Sequence, residues 1–308
     1  MSLYKHPAYP IGIFAMIIIF IIVITTSLLL WELRKRELTH TRLETVGVTE
    51  IFAEQTARNF ESADSVLKDI QERLNSSFGA QFSLDSPEVQ LLLGTRVLGM
   101  RQLDAIYLMN ENGQIVNSSR VPSNNEALVF DQVHVKEFLD QQNLDLRIGK
   151  PIKNKRINDW SLFISRKIQY KNGRGRGVVI AGIEISHFEN FYKQLKLDHS
   201  RPVSLYRDDG VLIASYPHRE SMIGEKSPEL GNVIPTLHPG KIEFKSHVKS
   251  NNEKEEFSLE LIPKFPLLIS VTDDVEDALS NWRENAIPIL LTSLMVSLFI
   301  IAAAGLLN

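Results

Sequence analysis

The sequence predicts an α+β protein with a long N-terminal helix, two tandem lobes built on antiparallel sheets, and one transmembrane helix at each end. Three observations support this prediction. Uncharged apolar runs occupy 11–30 and 286–307, a helical apolar period follows the first run, and a hairpin signal recurs 97 residues further along the chain. Antiparallel hairpins with helices gathered beside them favour an α+β fold over a doubly wound parallel sheet.

Composition and charge exclude several function classes. The 308 residues carry 34 Lys and Arg against 37 Asp and Glu, for a formal net charge of −3. Nucleic-acid-binding domains usually have a clear basic excess, so this class is disfavoured. The chain has no cysteine, which excludes disulfides, thiol catalysis and Cys-ligated metals. The eight histidines include no pair at helical metal-binding spacing. Neither an enzyme nor a cofactor is expected.

Two apolar runs predict two membrane spans. The first has 20 residues, which gives about 30 Å of helix, the thickness of a bilayer core. A signal peptide would have a shorter apolar region and a cleavage site, so a retained anchor is expected. The predicted segments are a cytoplasmic tail at 1–10, transmembrane helices at 11–31 and 286–308, a long signalling helix at 32–83, a membrane-distal lobe at 84–197, and a membrane-proximal lobe with an exit helix at 198–285.

The charges beside the first span give one indication of topology. Only Lys5 precedes this span, whereas Arg34, Lys35 and Arg36 follow it. The positive-inside rule, taken literally, therefore favours a cytoplasmic location for residues 32–285.

The elements between the spans follow from periodicity and turn residues. A helix is expected over 32–80, with one apolar stripe at spacings of 3 and 4, and a second helix after the cap Ser86-Pro87. The stripe consists of Phe60, Ala63, Leu67, Ile70 and Leu74. Strands are expected at 105–110, 114–119, 146–148, 160–169 and 177–185, a loop with a short helix at 120–143, and a helix at 187–197.

The next segment repeats this plan. An offset of 97 residues superimposes Gly113 on Gly210, and it also superimposes Trp160-Ser161-Leu162 on Phe257-Ser258-Leu259. Two matches at one offset indicate an internal duplication, although hairpins also resemble one another by chance. The second copy is shorter, with its last strand expected at 265–271 and a helix at 274–285.

Four segments, in their order along the chain, resemble the double Cache (PDC) sensor domain. They are 146–151, 160–166, 206–210 and 276–283, which read LRIGKP, WSLFISR, YRDDG and EDALSNWR. The chain is most similar to the Cache sensors that precede GGDEF domains in membrane-bound diguanylate cyclases. The resemblance implies two PAS-like lobes in the bacterial periplasm, anchored in the inner membrane, and this overrides the charge count. The resemblance also implies a small-molecule pocket in the first lobe. In this family the output domain follows the second span, so a chain that ends at Asn308 is expected to lack it.

The sequence departs from the family in two places. Relatives often carry an Arg-and-aromatic motif near 131–142, where this chain has no Arg but contains His134. The Arg-x-Trp-Tyr element of the amino-acid-binding branch is also missing, although Glu184 would occupy the acidic position of that branch on the last strand. An amino-acid ligand therefore does not carry over.

Five residues are candidates for the pocket, each with a structural alternative. Arg166 could hold a ligand carboxylate through two parallel hydrogen bonds, or form an internal ion pair. Trp160 could wall the pocket or fill the core, and Tyr107 could offer its phenol or simply pack. His134 could donate to an anion, and Glu184 could bind a ligand amine or pair with a surface lysine. The ligand is expected to be a small molecule, and an organic anion is one class that these residues fit.

The function predicted on this basis is extracytoplasmic sensing in a transmembrane signalling protein. The alternatives are the sensor region of a histidine kinase or chemoreceptor, and a membrane-anchored scaffold without a ligand. A homodimer through the long helix is also expected, because an apolar stripe on so long a helix needs a partner. Val48, Ile51 and Phe52 are the candidates for its seam.

Overall fold

The computed structural model describes residues 8–76, 81–100, 102–120, 138, 145–154, 159–169, 175–194, 201–248 and 254–306. The chain divides into two compact units. The terminal unit contains Met1–Gly47, Ser246–Glu256 and Asp273–Asn308, and the central unit contains Val48–Lys245 and Phe257–Thr272. The predicted α+β class is confirmed, since the chain has a long N-terminal helix, two antiparallel sheets in two lobes and an apolar C-terminal helix.

The helices are α1 (Ala8–Asn75), α2 (Pro87–Val97), α3 (Ile185–Gln194), α4 (Val275–Ala278) and α5 (Ser280–Leu306). The strands are β1 (Leu103–Asn110), β2 (Ile115–Ser118), β3 (Leu146–Ile148), β4 (Ile152–Asn154), β5 (Asp159–Gln169), β6 (Gly175–Glu184), β7 (Val203–Arg207), β8 (Leu212–Tyr216), β9 (Ile242–Val248), β10 (Lys254–Leu261) and β11 (Leu267–Asp274). Short 3₁₀ turns lie at Glu220–Met222 and Ile234–Thr236.

Helix α1 joins the first apolar run and the predicted signalling helix in one element of 68 residues. It ends at Asn75, earlier than the sequence suggested, and Gly47 does not interrupt it. Helix α2 begins as predicted, because the Ser86 hydroxyl accepts a hydrogen bond from the Val89 amide at 3.4 Å and Pro87 occupies the first turn.

In the terminal unit, α1 and α5 are both long and apolar enough to cross a membrane. The two helices meet through polar groups as well. The Trp282 indole donates to the Leu30 carbonyl at 3.1 Å, and the Thr26 hydroxyl lies 3.2 Å from that of Ser293. These two helices agree with the predicted two-pass arrangement.

In the central unit, the predicted stripe of α1 forms the core. Phe60, Ala63, Leu67 and Ile70 are completely buried and Leu74 is 2% exposed. Phe60 stacks on Phe188 of α3 with ring centroids 5.6 Å apart. The periodicity of 3 and 4 therefore identified the buried face of this helix correctly.

The two sheets have the same strand order. The first runs β2-β1-β6-β5-β3, with β4 also paired to β5, and the second runs β8-β7-β11-β10-β9. Gly113 and Gly210 occupy equivalent turns with φ of 78° and 85°, which glycine adopts without strain. The common order supports the duplication inferred from the sequence. The predicted short helix within 120–143 lies outside the described residues, apart from Phe138.

The predicted dimer seam needs a correction at Phe52. This side chain is completely buried, and its ring makes edge contacts with Phe191 and Tyr192 at centroid distances of 5.7 and 4.8 Å. Phe52 is therefore part of the core of its own chain. Ile51, the next residue, is 49% exposed and stays available for a seam.

Candidate ligand-binding face of the first lobe

The first sheet has two faces with different partners. One face packs on the main core, which includes the apolar stripe of α1 together with Ile106, Leu108, Leu162 and Ile164. The other face carries a separate apolar cluster, and we call it the outer face. Its buried members are Ala105, Tyr107, Met109, Phe138, Phe163, Val178 and Ile180. Since side chains alternate along a strand, the pairing register assigns the remaining residues to one face or the other.

Two predicted site residues, Tyr107 and Glu184, lie on the outer face. Tyr107 is 3% exposed and pairs with Ile180 of β6. Glu184 is four residues beyond Ile180 on the same strand, where it pairs with Ser161, and so it points to the same side. Its carboxylate has no hydrogen-bond partner among the described residues. The two residues are about 13 Å apart along the strand at about 3.3 Å per residue, so they share a face but not one contact point.

Arg166 lies on the opposite face, toward α1. Its guanidinium donates to both carboxylate oxygens of Asp64, at 2.6 and 2.9 Å, and also to Asp145. The side chain is only 11% exposed, and hydrogen bonding to Asp64 raises its pKa. The geometry supports the alternative reading of Arg166, in which it forms an ion pair inside the chain, and gives no support to a ligand clamp.

Trp160 also lies away from the outer face. Its ring packs against the main core, and its indole nitrogen donates to Glu220 of the second lobe at 3.0 Å. The arrangement favours a packing role over the pocket wall that the sequence suggested. His134, the fifth predicted residue, lies outside the described residues.

Sequence reasoning missed Lys167, which is next to Arg166 and therefore points to the outer face. Lys167 is 3% exposed, and its ammonium lies 5.1 Å from the centroid of the Phe138 ring, within cation–π range. Ser165 shares this face, and so does Arg147, with which Ser165 pairs. The available signal was the alternation along β5, because Phe163, Ser165 and Lys167 share one parity.

A polar corner closes one end of the outer face. The Asn154 amide lies 3.3 Å from the Asp104 carboxylate and 3.4 Å from the Ser161 hydroxyl, and all three residues are buried. The Arg120 guanidinium lies 3.4 Å from Asp104. Buried polar groups are tolerated where they are hydrogen-bonded, as these are. The network also links β1, β4 and β5, because each of these strands contributes one of the three buried residues.

Two cavities of the first lobe lie elsewhere. One, of about 540 Å³, is lined by residues 81–85, by the turn at 110–112, and by Val116 and Arg176. The other, of about 370 Å³, is lined by Arg73, Leu74, Ser76, Phe82, Glu88, Val89 and Leu92. Neither cavity includes any of the five predicted residues. For the described residues, no group of three or more His, Asp or Glu side chains is arranged to hold a metal.

Comparison with known proteins gives structural neighbours only. No family model and no curated protein matches the sequence. The extracellular domain of rpHK1S-Z16, named as a histidine kinase, has a TM-score of 0.65 at 23% identity and covers 80% of this chain and 99% of that domain. The periplasmic sensory domain of the Campylobacter jejuni chemoreceptor Tlp1 has a TM-score of 0.61 at 12% identity, with coverage of 79% and 98%.

A third neighbour was solved with its ligand. It is the ligand-binding domain of the Pseudomonas aeruginosa amino-acid chemoreceptor PctB in complex with L-Gln, with a TM-score of 0.57, 16% identity, and coverage of 82% and 98%. The first neighbour is named as the extracellular domain of a histidine kinase, and the other two as a sensory and a ligand-binding domain. None of the three is named as a catalytic domain, in agreement with the expectation that the chain is not an enzyme. At these identities the similarity concerns the fold, and the chain has the α+β fold of extracytoplasmic sensory domains.

Proposed function

We propose that the chain is the extracytoplasmic sensing module of a bacterial transmembrane signalling protein, and that the outer face of the first lobe binds a small organic anion. The observation that carries this proposal is Lys167, a buried cation beneath Phe138 on the same face as Tyr107. The Lys167 ammonium and the Tyr107 phenol can both donate hydrogen bonds to a carboxylate. The Ser165 hydroxyl can do so when it leaves the Arg147 carbonyl, to which it donates at 3.4 Å.

The spacing of charges on the outer face favours an anion over a zwitterion. Lys167 pairs with Val178 and Ser161 pairs with Glu184, so the cation and the acid are six residues apart along the strands. At about 3.3 Å per residue this is roughly 20 Å, longer than a single amino acid. Ser165, in contrast, is only two residues from Lys167, or about 7 Å. The basic end of the face therefore provides one compact anion site, and Glu184 lies outside it.

A thermal-shift screen of small carboxylates on the full chain in detergent tests the proposal. We expect a stabilising ligand whose affinity falls in Lys167→Met by roughly 10- to 150-fold, because a hydrogen bond to a charged group contributes about 1.5–3 kcal/mol. Tyr107→Phe, which keeps the ring, should show a smaller loss.

Lys241→Met is the matched control, since Lys241 is an exposed lysine of the second lobe. Equal stabilisation of wild type and Lys167→Met would remove the anion site from this face. If no carboxylate stabilises the wild type, the scaffold function without a small-molecule ligand becomes the better explanation.

We also propose that residues 32–285 face the periplasm and that α1 and α4–α5 connect the sensor to an output domain in the cytoplasm. The double Cache resemblance favours a diguanylate cyclase, whereas the neighbours are named as parts of a histidine kinase and of chemoreceptors. Any of these output domains would respond to the same ligand-induced change in the sensor. A ligand must prefer one of two arrangements of the sensor to change the output, because equal affinity for both shifts no equilibrium.

The proposed homodimer gives a crosslinking prediction. Because the chain has no cysteine, a single introduced thiol reports on its own position. Ile51→Cys, half exposed on α1, should form a disulfide-linked dimer under mild oxidation, whereas Phe52→Cys, completely buried, should not. Val48→Cys, which is partly buried, should react more slowly than Ile51→Cys. The absence of any Ile51→Cys dimer in membranes would rule out a seam along this part of α1.

A further inference from the structure

A histidine stands between two carboxylates where the two lobes of the central unit meet. Nδ1 of His218 lies 2.8 and 2.9 Å from the two carboxylate oxygens of Glu189 on α3. Nε2 lies 3.0 Å from Oε2 of Glu220, which begins the 3₁₀ turn after β8. Both ring nitrogens therefore face a hydrogen-bond acceptor.

Glu220 extends this arrangement to the first sheet. Its Oε1 accepts from the Lys153 ammonium of β4 at 2.6 Å, and its Oε2 accepts from the Trp160 indole of β5 at 3.0 Å. The short segment 218–220 of the second lobe thus touches the first lobe at Lys153 and Trp160, and helix α3 at Glu189. We call these five residues the lobe clasp: Lys153, Trp160, Glu189, His218 and Glu220.

The geometry of the lobe clasp fits a protonated ring. A neutral imidazole has one N–H and can donate to one carboxylate, whereas an imidazolium donates to both. The charged groups that act on the ring are Glu220 and Glu189, and Lys153 reaches it only through Glu220. Arg219 is directed elsewhere, since its guanidinium donates to the Ser204 hydroxyl at 2.6 Å. Hydrogen bonds to Glu220 and then Glu189 raise the pKa of His218, against a smaller lowering by burial.

We propose that the lobe clasp is a proton-controlled connection between the two lobes, closed when His218 carries a proton and loosened when it is neutral. The proposal does not depend on the ligand proposed for the outer face. If the sensing role proposed above holds, it gives the sensor a second input, since a change of external pH across the raised pKa of His218 would alter the contact of the second lobe with β4 and β5. Trp160 is adjacent to Ser161, which pairs with Glu184, so the lobe clasp also adjoins the acidic end of the outer face.

The indole N–H signal of Trp160 in ¹⁵N NMR tests the lobe clasp directly. The chain has three tryptophans, and Trp160→Phe assigns the signal. In the full chain in nanodiscs, we expect this signal to titrate between pH 5 and 8.5 with a midpoint above 6.5, the ordinary value for histidine. In His218→Gln the signal should be independent of pH over this range. A wild-type signal that does not move, or that moves equally in His218→Gln, would overturn the proposal.

The melting temperature provides a second measurement. A raised histidine pKa contributes stability that is fully present below the unfolded value and is lost as the pH rises through the folded value. We therefore expect His218→Gln to melt about 2 °C below wild type at pH 5.5. At pH 8.5 the two proteins should melt at the same temperature. Glu189→Gln should show the same dependence. A pH-independent difference in both variants would show a merely structural contact.

A control variant and a comparison with wild type separate the effect of His218 on the melting temperature from those of other titrating groups. His238 lies 3.0 Å from Glu243 within the second lobe, and His238→Gln is therefore a matched histidine–carboxylate control away from the lobe clasp. Burial, together with the nearby charge of Glu50, raises the pKa of Glu260 to about 7. The deprotonation of Glu260 therefore also lowers the stability of the wild type as the pH rises through this value. Because Glu260 is present in every variant, its contribution cancels in the difference from wild type.

Discussion

Phe60→Ala is expected to lower the free energy of unfolding of the chain by about 3–5 kcal/mol, the usual cost of truncating a buried phenylalanine. Phe60 is completely buried on α1 and contacts rings from both lobes, namely Phe188 of α3 at 5.6 Å and Phe265 at 5.7 Å. Its removal leaves a cavity between elements that cannot close together without moving the helix.

Urea titration of the full chain in detergent, followed by tryptophan fluorescence, measures this loss. Leu91→Ala on α2 is the control, because Leu91 is 69% exposed and its truncation should change the stability by less than about 0.5 kcal/mol. A Phe60→Ala protein as stable as the Leu91→Ala protein would show that α1 is not packed on the lobes at this point.

Asp64→Ala is expected to cost roughly 3 kcal/mol, since removing one partner of a buried ion pair leaves the other charge uncompensated. Asp64 holds Arg166 through two hydrogen bonds, and the Arg166 side chain is 11% exposed. Asp145 also contacts this guanidinium but is 63% exposed, so it replaces Asp64 only in part.

The double variant Asp64→Ala with Arg166→Met distinguishes this explanation from a loss of packing. It should recover part of the stability, because it removes the unpaired charge as well. Glu54→Ala is the surface control on the same helix, since Glu54 and Arg58 form an exposed pair that should contribute less than about 0.5 kcal/mol. Greater instability of the double variant would contradict the ion-pair account.

The sequence predicted turns, a helix cap and a buried helix face correctly, because each depends on residues close together in the chain. The turns at Gly113 and Gly210, the cap at Ser86 and the buried stripe of α1 each follow from a few adjacent residues. Strand β4 was not predicted, although β3, which has the same length, was. Helix α1 was divided in the prediction because the chain changes from apolar to charged near Trp31, whereas the backbone continues unchanged.

The candidate site was harder to predict, since it depends on which face of a strand meets which partner. Alternation on β5 separates Arg166 from Lys167, but it does not say which of the two faces α1. Only the pairing of Arg166 with Asp64, 102 positions earlier in the chain, determines the choice. Arg166 was selected from the sequence for its chemistry, without knowledge of which face of β5 its side chain occupies.

The common strand order of the two sheets has an evolutionary consequence. The offset of 97 residues places Ser204 where the first lobe has Tyr107, and Ser215 where it has Ser118. Ser204 pairs with Ser270, as Tyr107 pairs with Ile180. Backbone pairing does not depend on these side chains, so after a duplication one copy could carry serines where the other has Tyr107 and Ile180 without losing its sheet. Selection could then act on the proposed ligand-binding face in one copy and on different contacts in the other, and each copy could diverge at its own rate.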